Sequence, residues 1–399
     1  MPDYTYVIIG GGMAGAAAVR GIRRVDEDGT IGVVGREGDP PYKRPPLSKD
    51  LWKGTEEKSI WIKLGKLNVE LHQEREVTRI DRDVRKVIDN QGTEYGYEKL
   101  LIATGGTPRR LPFPSDRTIY YRTAADYRRL RAVVDQHQRF AVIGGGFIGT
   151  EIAAALAMND KDVTLIFPGK WIGERQYPPG LAQFLNHYYE AHGVSIASGQ
   201  KVEGLIEDAQ HVVVRTGRED GETGQEFTVD GVVAGIGIQP NVALARSAGL
   251  DVNDGIVVDR NLCTSDPNIF AAGDVAEFHD IALGKRRRVE HENNANMMGR
   301  RAGQNMAGNV APYDDSPFFY SDLFDLGYEA VGELDSRMEM VEDWKEPNRE
   351  GVIYYLSDGR VRGVLLWNVW EQVDAARQLI AEPGPFHAQD LKGRLPAKS

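Results

Sequence analysis

The chain has almost no cysteine: Cys263 stands alone among 399 residues. One thiol cannot close an intrachain disulfide, form a CxxC redox pair, or supply the ligands of a cysteine zinc site or an iron–sulfur cluster. Mechanisms that store electrons in the protein's own dithiol are therefore excluded. Histidine is scarce too. The eight histidines are scattered, with no HExxH and no His/Cys cluster, so no metal site is expected. Long apolar runs are missing, and none approaches the roughly 18 residues of a membrane-crossing helix. Basic charge is in deficit, with 48 Lys and Arg against 59 Asp and Glu, a net −11. Phosphate affinity comes mostly from Lys and Arg, so nucleic acid and anionic membranes are not expected partners. A strand-like run begins at Tyr6. It leaves no room ahead of it for a signal or transit peptide, and a cytoplasmic location is expected.

Glycine, by contrast, is abundant at 45 residues, and much of it lies in motifs. The length suggests two to three domains. Residues 6–15 read YVIIGGGMAG, and residues 140–149 read FAVIGGGFIG. Each is an apolar run, then GGGxxG, then an alanine-rich stretch. The first copy predicts a helix over 16–24 and a strand over 30–34. The second predicts a helix over 150–158 and a strand over 162–167. A lone GxGxxG is weak, but strand–turn–helix–strand context twice over is informative. Gly10 allows the tight turn, Gly12 lets the backbone approach a pyrophosphate, and Gly15 lets the helix pack on the strand. Gly11, Met13 and Ala14 complete that loop, with the phosphate on the positive end of the helix. Gly144, Gly146 and Gly149 repeat the pattern, with Phe147 and Ile148 in the loop. Two such sites imply two dinucleotides. The economical pair is one flavin and one nicotinamide cofactor exchanging a hydride.

Further along, KLLIATGGTP (99–108) and DGVVAGIGIQPN (230–241) are apolar strands ending in glycine turns. NIFAAGDVAEF (268–278) is a buried-type strand ending at Gly273 and Asp274. From Tyr313 aromatic-rich strands over 351–356 and 360–367 and a helix over 371–380 point to an α+β domain. The last fifteen or so residues, rich in Pro, Gly and Lys, read as a loose tail. The fold expected is α/β, with two Rossmann-like dinucleotide-binding domains and a C-terminal α+β domain. Residues 1–113 and 242–312 form the FAD domain, 114–241 the NAD(P)H domain, and 313–399 the C-terminal domain.

The motif order GxGxxG, RPPLSK, ATGG, GxGxxGxE and AAGD resembles the two-dinucleotide flavoprotein reductases. Within them PYKRPPLSKDLW, KLLIATGGTPR, IGGGFIGTE, RRRVEHENNANMMGRRAGQNMAG, YSDLFDLGYEAVG and GVLLWN are most similar to the apoptosis-inducing factor family. The oxygenase-coupled ferredoxin reductases come next. The resemblance implies that Asp274 binds the FAD ribityl chain and that Arg44 and Arg122 contact FAD. It places Val77 at the adenine, and Ala103, Thr104 and Gly105 at the ATGG turn. Lys49 would lie beside flavin N5 with Glu151 paired to it, and these two are the catalytic candidates. Glu290, His291 and Glu292 match the flavin–nicotinamide junction. Gly237, Glu329 and Asn368 match contacts to the nicotinamide cofactor. No protein nucleophile is needed, because hydride passes directly from nicotinamide C4 to flavin N5.

The chain departs from the family pattern at several points. The acid expected at the FAD adenosine ribose falls at Arg36, with Glu37 beside it. After the second strand the family often has FPE, where this chain has FPGK ending in Lys170. NADH and NADPH both remain open as cofactors. Tyr320 stands where the family usually has a tryptophan near the flavin. The run Lys285-Arg286-Arg287-Arg288 reads as a solvated face, or as a docking surface for an acidic electron carrier or a dimer. The leading function is an FAD-dependent NAD(P)H oxidoreductase delivering electrons to an external acceptor such as a ferredoxin or a quinone. Two alternatives stand beside it. One is a reductase for the [2Fe–2S] ferredoxin of an oxygenase. The other is a redox-gated interaction protein whose persistent flavin–nicotinamide complex alters a homodimer.

Overall fold

In a computed structural model of the protein, residues 2–218 and 223–395 are described. The chain forms two compact units. The first combines the stretch through Arg44 with Glu56–Thr107 and Gln239–Phe318. The second combines Pro45–Thr55, Pro108–Ile238 and the stretch from Phe319 onward.

The first unit is built on a seven-stranded sheet. Its order is Val69–His72, Ile31–Val34, Asp3–Ile9, Glu94–Ile102, Lys86–Asp89 and Val77–Asp81, and Ile269–Ala271 also pairs with Glu94–Ile102. The central pairs are parallel. Strands of a parallel sheet are covered on both faces, which is why Val7, Ile8, Leu100, Leu101 and Ile102 form near-continuous apolar runs with almost no exposure. Helices Met13–Arg23 and Glu292–Met306 pack backbone to backbone. A Cβ on Gly299 would lie 2.2 Å from the Ala14 carbonyl oxygen, and one on Gly303 2.2 Å from that of Ala18.

The second unit holds an all-parallel five-stranded sheet, ordered Val194–Ser198, Asp162–Phe167, Arg139–Ile143, Gly231–Ala234 and Thr118–Tyr120. An antiparallel trio, Gln200–Glu207, Val212–Arg218 and Glu226–Val229, accompanies it. The C-terminal part is a five-stranded sheet ordered Phe318–Leu323, Leu326–Gly332, Arg360–Trp367, Glu350–Ser357 and Glu339–Glu346, followed by helix Val373–Ala381. The fold is thus α/β with Rossmann-type parallel sheets and a β-rich C-terminal region.

One expectation needs correcting. The residues expected to form a loose tail pack instead: helix Ala388–Leu391 forms, and Leu391 and Leu395 are buried. Burying two leucine side chains, one at the end of the helix and one beyond it, gains more than the Pro and Gly around them cost. Residues 396–399 lie outside the described residues. The basic run is exposed at Lys285 and Arg286, and its arginines have acidic partners. Arg286 pairs with Glu277 at 3.2 Å, Arg287 with Asp280 at 2.9 Å, and Arg288 with Glu290 at 2.5 Å. Among the described residues no helix is long and apolar enough to cross a membrane.

Candidate functional site

In the two glycine turns the three glycines have separable reasons. Gly10 and Gly144 have φ of +116° and +118°, where an L side chain is strained. A Cβ on Gly15 would lie 2.1 Å from the Gly10 carbonyl oxygen, and one on Gly149 1.8 Å from that of Gly144. The middle glycines are different. Gly12 and Gly146 have extended backbones open to any residue. A Cβ there would meet no atom of the described residues within 4 Å beyond its chain neighbours. Neither conformation nor packing requires glycine at these positions, but a ligand lying against the backbone would. Each turn feeds directly into a helix, Met13–Arg23 or Phe147–Ala157, with no side-chain cap and no acid in its first turn. Uncapped first-turn N–H groups are the donors an anionic phosphate uses. The site residues therefore fit a dinucleotide at each turn.

Around the first turn, Glu37 accepts hydrogen bonds from Tyr42 Oη and Arg44 Nη2, both at 2.6 Å. The Arg44 guanidinium lies over the Tyr42 ring at 5.1 Å, and its backbone N–H meets Met13 Sδ at 3.4 Å. Arg36 is exposed and pairs loosely with Glu76. Val77 opens a strand at a β-bulge. Ala103 follows strand Glu94–Ile102 and its N–H donates to the Ile9 carbonyl, and Thr104 and Gly105 are tied to Asn241. Gly273, at φ +79°, turns the chain so that Asp274 follows beside the first helix, where a Gly273 Cβ would touch Ala14 at 3.0 Å. His291 is the N-cap residue of helix Glu292–Met306, and its side chain does not bond the helix's first turn. Burial pushes its imidazole down to about 4, with Arg287 assisting and the Asp274 carboxylate opposing. Glu290 is engaged by Arg288, and Glu292 by the Asn296 amide at 3.4 Å.

The second unit contains a buried ion pair. Lys49 joins two 3₁₀ turns, Pro45–Ser48 and Asp50–Lys53, and the prolines preset the first of them. Its ammonium contacts the Glu151 carboxylate, with both side chains buried. Glu151 also accepts from Ser48 Oγ at 2.5 Å and Ser321 Oγ at 2.6 Å. The segment is stapled in place: Tyr121 Oη and Trp52 Nε1 both donate to the Leu47 carbonyl. Tyr127 Oη donates to that of Leu51 at 3.2 Å. Phenols within reach of the Glu151 charge, Tyr121, Tyr177 and Tyr328, are pushed well up, first by burial, and so stay neutral. The Lys49 ammonium also lies 5.6 Å from the Tyr320 ring centroid, and Tyr320 is 37% exposed, so it is not simple core packing. Sequence reasoning missed Ser48 and Ser321. Ser48 sits beside Lys49 in the motif and was there to be read; nothing local marks Ser321, 170 positions from Glu151.

Elsewhere in this unit, Gly237 takes φ +89°, and Ile148 is half-exposed at the mouth of its helix. Arg122 N–H donates to Asp126 at the start of helix Ala124–Val134. Glu329 Oε2 is buried without a hydrogen bond among the described residues. Burial holds its carboxyl above the usual range, and the Glu371 charge adds to this. The Asn368 amide accepts from Gly327 N–H and donates to the Arg349 carbonyl, so its side chain already has a structural role. Lys170 is exposed over the Trp171 ring.

The chain is similar to known proteins along most of its length. The family described as pyridine nucleotide-disulphide oxidoreductase matches residues 4–299. The C-terminal domain described for mitochondrion-associated apoptosis-inducing factor matches residues 302–350 and 342–382. Mitochondrial apoptosis-inducing factor 1 of Dictyostelium discoideum is 35% identical, covering 95% of this chain and 78% of that protein. The ferredoxin reductase subunit of 5,5'-dehydrodivanillate O-demethylase from a Sphingobium species is 35% identical over 90% of this chain and 89% of its own length. The crystal structure of the covalent putidaredoxin reductase–putidaredoxin complex superposes with a TM-score of 0.88 at 32% identity, covering 97% of this chain and 95% of that one. The paired glycine turns, the parallel sheets and these likenesses agree, and the chain belongs to the pyridine nucleotide-disulphide oxidoreductase family, as an oxidoreductase with an apoptosis-inducing factor type C-terminal domain.

Proposed function

We propose that the protein is an FAD-dependent NAD(P)H oxidoreductase that delivers electrons to an acceptor outside the chain. The observation that carries this reading is the pair Gly12 and Gly146, two glycines for which the protein itself has no use. We assign FAD to the first turn, with Ala103 to Gly105, Arg44, Asp274 and His291, and the nicotinamide cofactor to the second turn within 114–241. Glu37 keeps acceptor capacity for a ribose, since each carboxylate oxygen has a second lone pair. When bound, FAD supplies a two-electron acceptor for the nicotinamide hydride. Lys49 contributes a fixed positive charge that favours the reduced cofactor, and Glu151, Ser48 and Ser321 set its position. Cys263 is no internal electron store: its thiol donates to the Asp266 carbonyl, and burial pushes it up to about 11. Relatives named as ferredoxin reductases make a [2Fe–2S] ferredoxin the first acceptor to test.

The decisive experiment is an anaerobic titration of the purified protein with NADH and with NADPH, followed by addition of a [2Fe–2S] ferredoxin. Stoichiometric bleaching of a bound flavin, then reoxidation by ferredoxin, is the expected result. A protein that binds no flavin, or whose flavin neither nucleotide bleaches, would overturn the reading. The apoptosis-inducing factor type C-terminal domain favours a second reading, a redox-gated interaction protein. Under that reading bleaching occurs, ferredoxin turnover is slow, and the sedimenting mass changes on reduction.

A further inference from the structure

The strand Asp162–Phe167 delivers the chain to Pro168 and Gly169. This is the place where a dinucleotide-binding sheet presents an acid to the ribose hydroxyls of its cofactor. Residue 169 is glycine and Lys170 follows, so the strand end carries no carboxylate of its own. The fold supplies one from five residues downstream. A Cβ built on Gly169 would lie 2.6 Å from Glu174 Oε1 and 2.8 Å from its Cδ. The Glu174 carboxylate thus fills the space that a side chain at 169 would enter.

The placement is built rather than incidental. Glu174 Oε2 accepts from the Lys170 N–H at 2.7 Å and the Trp171 N–H at 3.4 Å, which folds the loop around the carboxylate. Among the described residues no donor reaches Oε1. The loop is pinned from several elements of the same unit. Ser336 Oγ donates to the Glu174 carbonyl at 2.6 Å. Ile172 N–H donates to Asn186 Oδ1 at 2.8 Å, and Gly199 N–H to the Gly169 carbonyl at 2.8 Å. Of the two cations in this loop, Lys170 places its ammonium over the Trp171 ring at 4.9 Å, and Arg175, next to Glu174 in the chain, is exposed.

We propose that Glu174 is the specificity-determining acid of the nicotinamide site, accepting from the ribose hydroxyls of NADH and repelling the 2'-phosphate of NADPH. The proposal rests on assigning the second glycine turn to a nicotinamide dinucleotide. A carboxylate with one oxygen held by backbone donors keeps the other for a ribose hydroxyl. A 2'-phosphate brought to the same place meets like charge, and a site that excludes its competitor this way discriminates strongly. Replacing Gly169 by Glu is a poor probe, because the new side chain would collide with Glu174.

The test is calorimetric binding of ADP-ribose and 2'-phospho-ADP-ribose to the purified holoprotein. The natural protein is expected to bind ADP-ribose at least about tenfold more tightly. Glu174→Gln keeps an acceptor for the Lys170 N–H but loses the charge. It should narrow that ratio about fivefold or more, mainly through tighter binding of the phosphorylated ligand, with the melting temperature unchanged. Glu174→Ala, which also removes the loop staple, should narrow it likewise. Moving the acid back to the strand end, in Gly169→Glu with Glu174→Ala, should restore discrimination. A natural protein that prefers 2'-phospho-ADP-ribose, or variants that keep the natural ratio, would overturn the assignment of Glu174. Failure of the natural protein to bind either ligand would overturn the dinucleotide assignment as well.

Discussion

Glu151 shows at the scale of one residue how burial sets the stakes. It faces a buried ammonium and two hydroxyls, so each group depends on the others. Glu151→Ala leaves the Lys49 ammonium buried without its counter-charge and is expected to cost about 3–5 kcal/mol. Replacing both partners, Lys49→Met with Glu151→Leu, should recover most of that loss in urea titrations. A double variant as unstable as the single one would contradict a coupled pair. His291 carries a pH signature. Its pKa is about 4 in the fold against about 6.5 in an unfolded chain. Between these values the unfolded state binds the extra proton. The contribution to stability is therefore complete above pH 6.5 and is lost as pH falls toward 4. In His291→Asn the loss of stability across that window should be shallower than in the natural protein, as read from denaturation midpoints at stepped pH.

At the scale of elements, the strand–turn–helix units were legible because their glycines are local necessities. Both helices begin at the residue after the middle glycine, at Met13 and Phe147, three residues earlier than periodicity placed them. Alanine-rich pattern marks the body of a helix better than an uncapped start does. The glycines also make a sharp contrast testable. Gly12→Ala should melt like the natural protein once both are stripped of cofactor, yet retain little flavin on purification. Gly15→Ala, whose Cβ would lie 2.1 Å from a carbonyl oxygen, should lose about 1–3 kcal/mol of stability before any cofactor is considered. Flavin absorbance per protein and thermal melts separate the two effects; equal flavin content in Gly12→Ala and the natural protein would remove the argument from Gly12. The helix pair held by Gly299 and Gly303 was not legible, since a glycine in a helix announces its partner only once the partner is in place.

At the scale of the whole molecule, the chain leaves the first unit after Arg44 and returns at Glu56, carrying the lysine motif into the second unit. No composition shift marks that excursion, and the staples that fix it, Tyr121 and Tyr127, lie far along the sequence. The first unit as a whole is expected to depend on its ligand for stability. Removing FAD should lower the melting temperature, and adding it back should raise it in a concentration-dependent way. The gain is about 2.7 kcal/mol at one hundred times the dissociation constant. A melting temperature indifferent to FAD would count against the first-turn assignment.

The sequence alone determined the class of fold and the two glycine turns, because strand periodicity and φ-demanding glycines are written within a few neighbouring residues. It also brought Lys49 and Glu151 forward as a pair, through resemblance to a family rather than through geometry. Only the tertiary structure decided how these and other side chains are partnered. Ser321 reaches Glu151, the arginines at 286–288 are spent on carboxylates of their own unit, and Glu174 occupies the place left by Gly169. Each of these depends on side chains meeting across a packed interior or a folded loop. Pairings of that kind are selected by burial and charge in three dimensions, and no spacing along the chain encodes them.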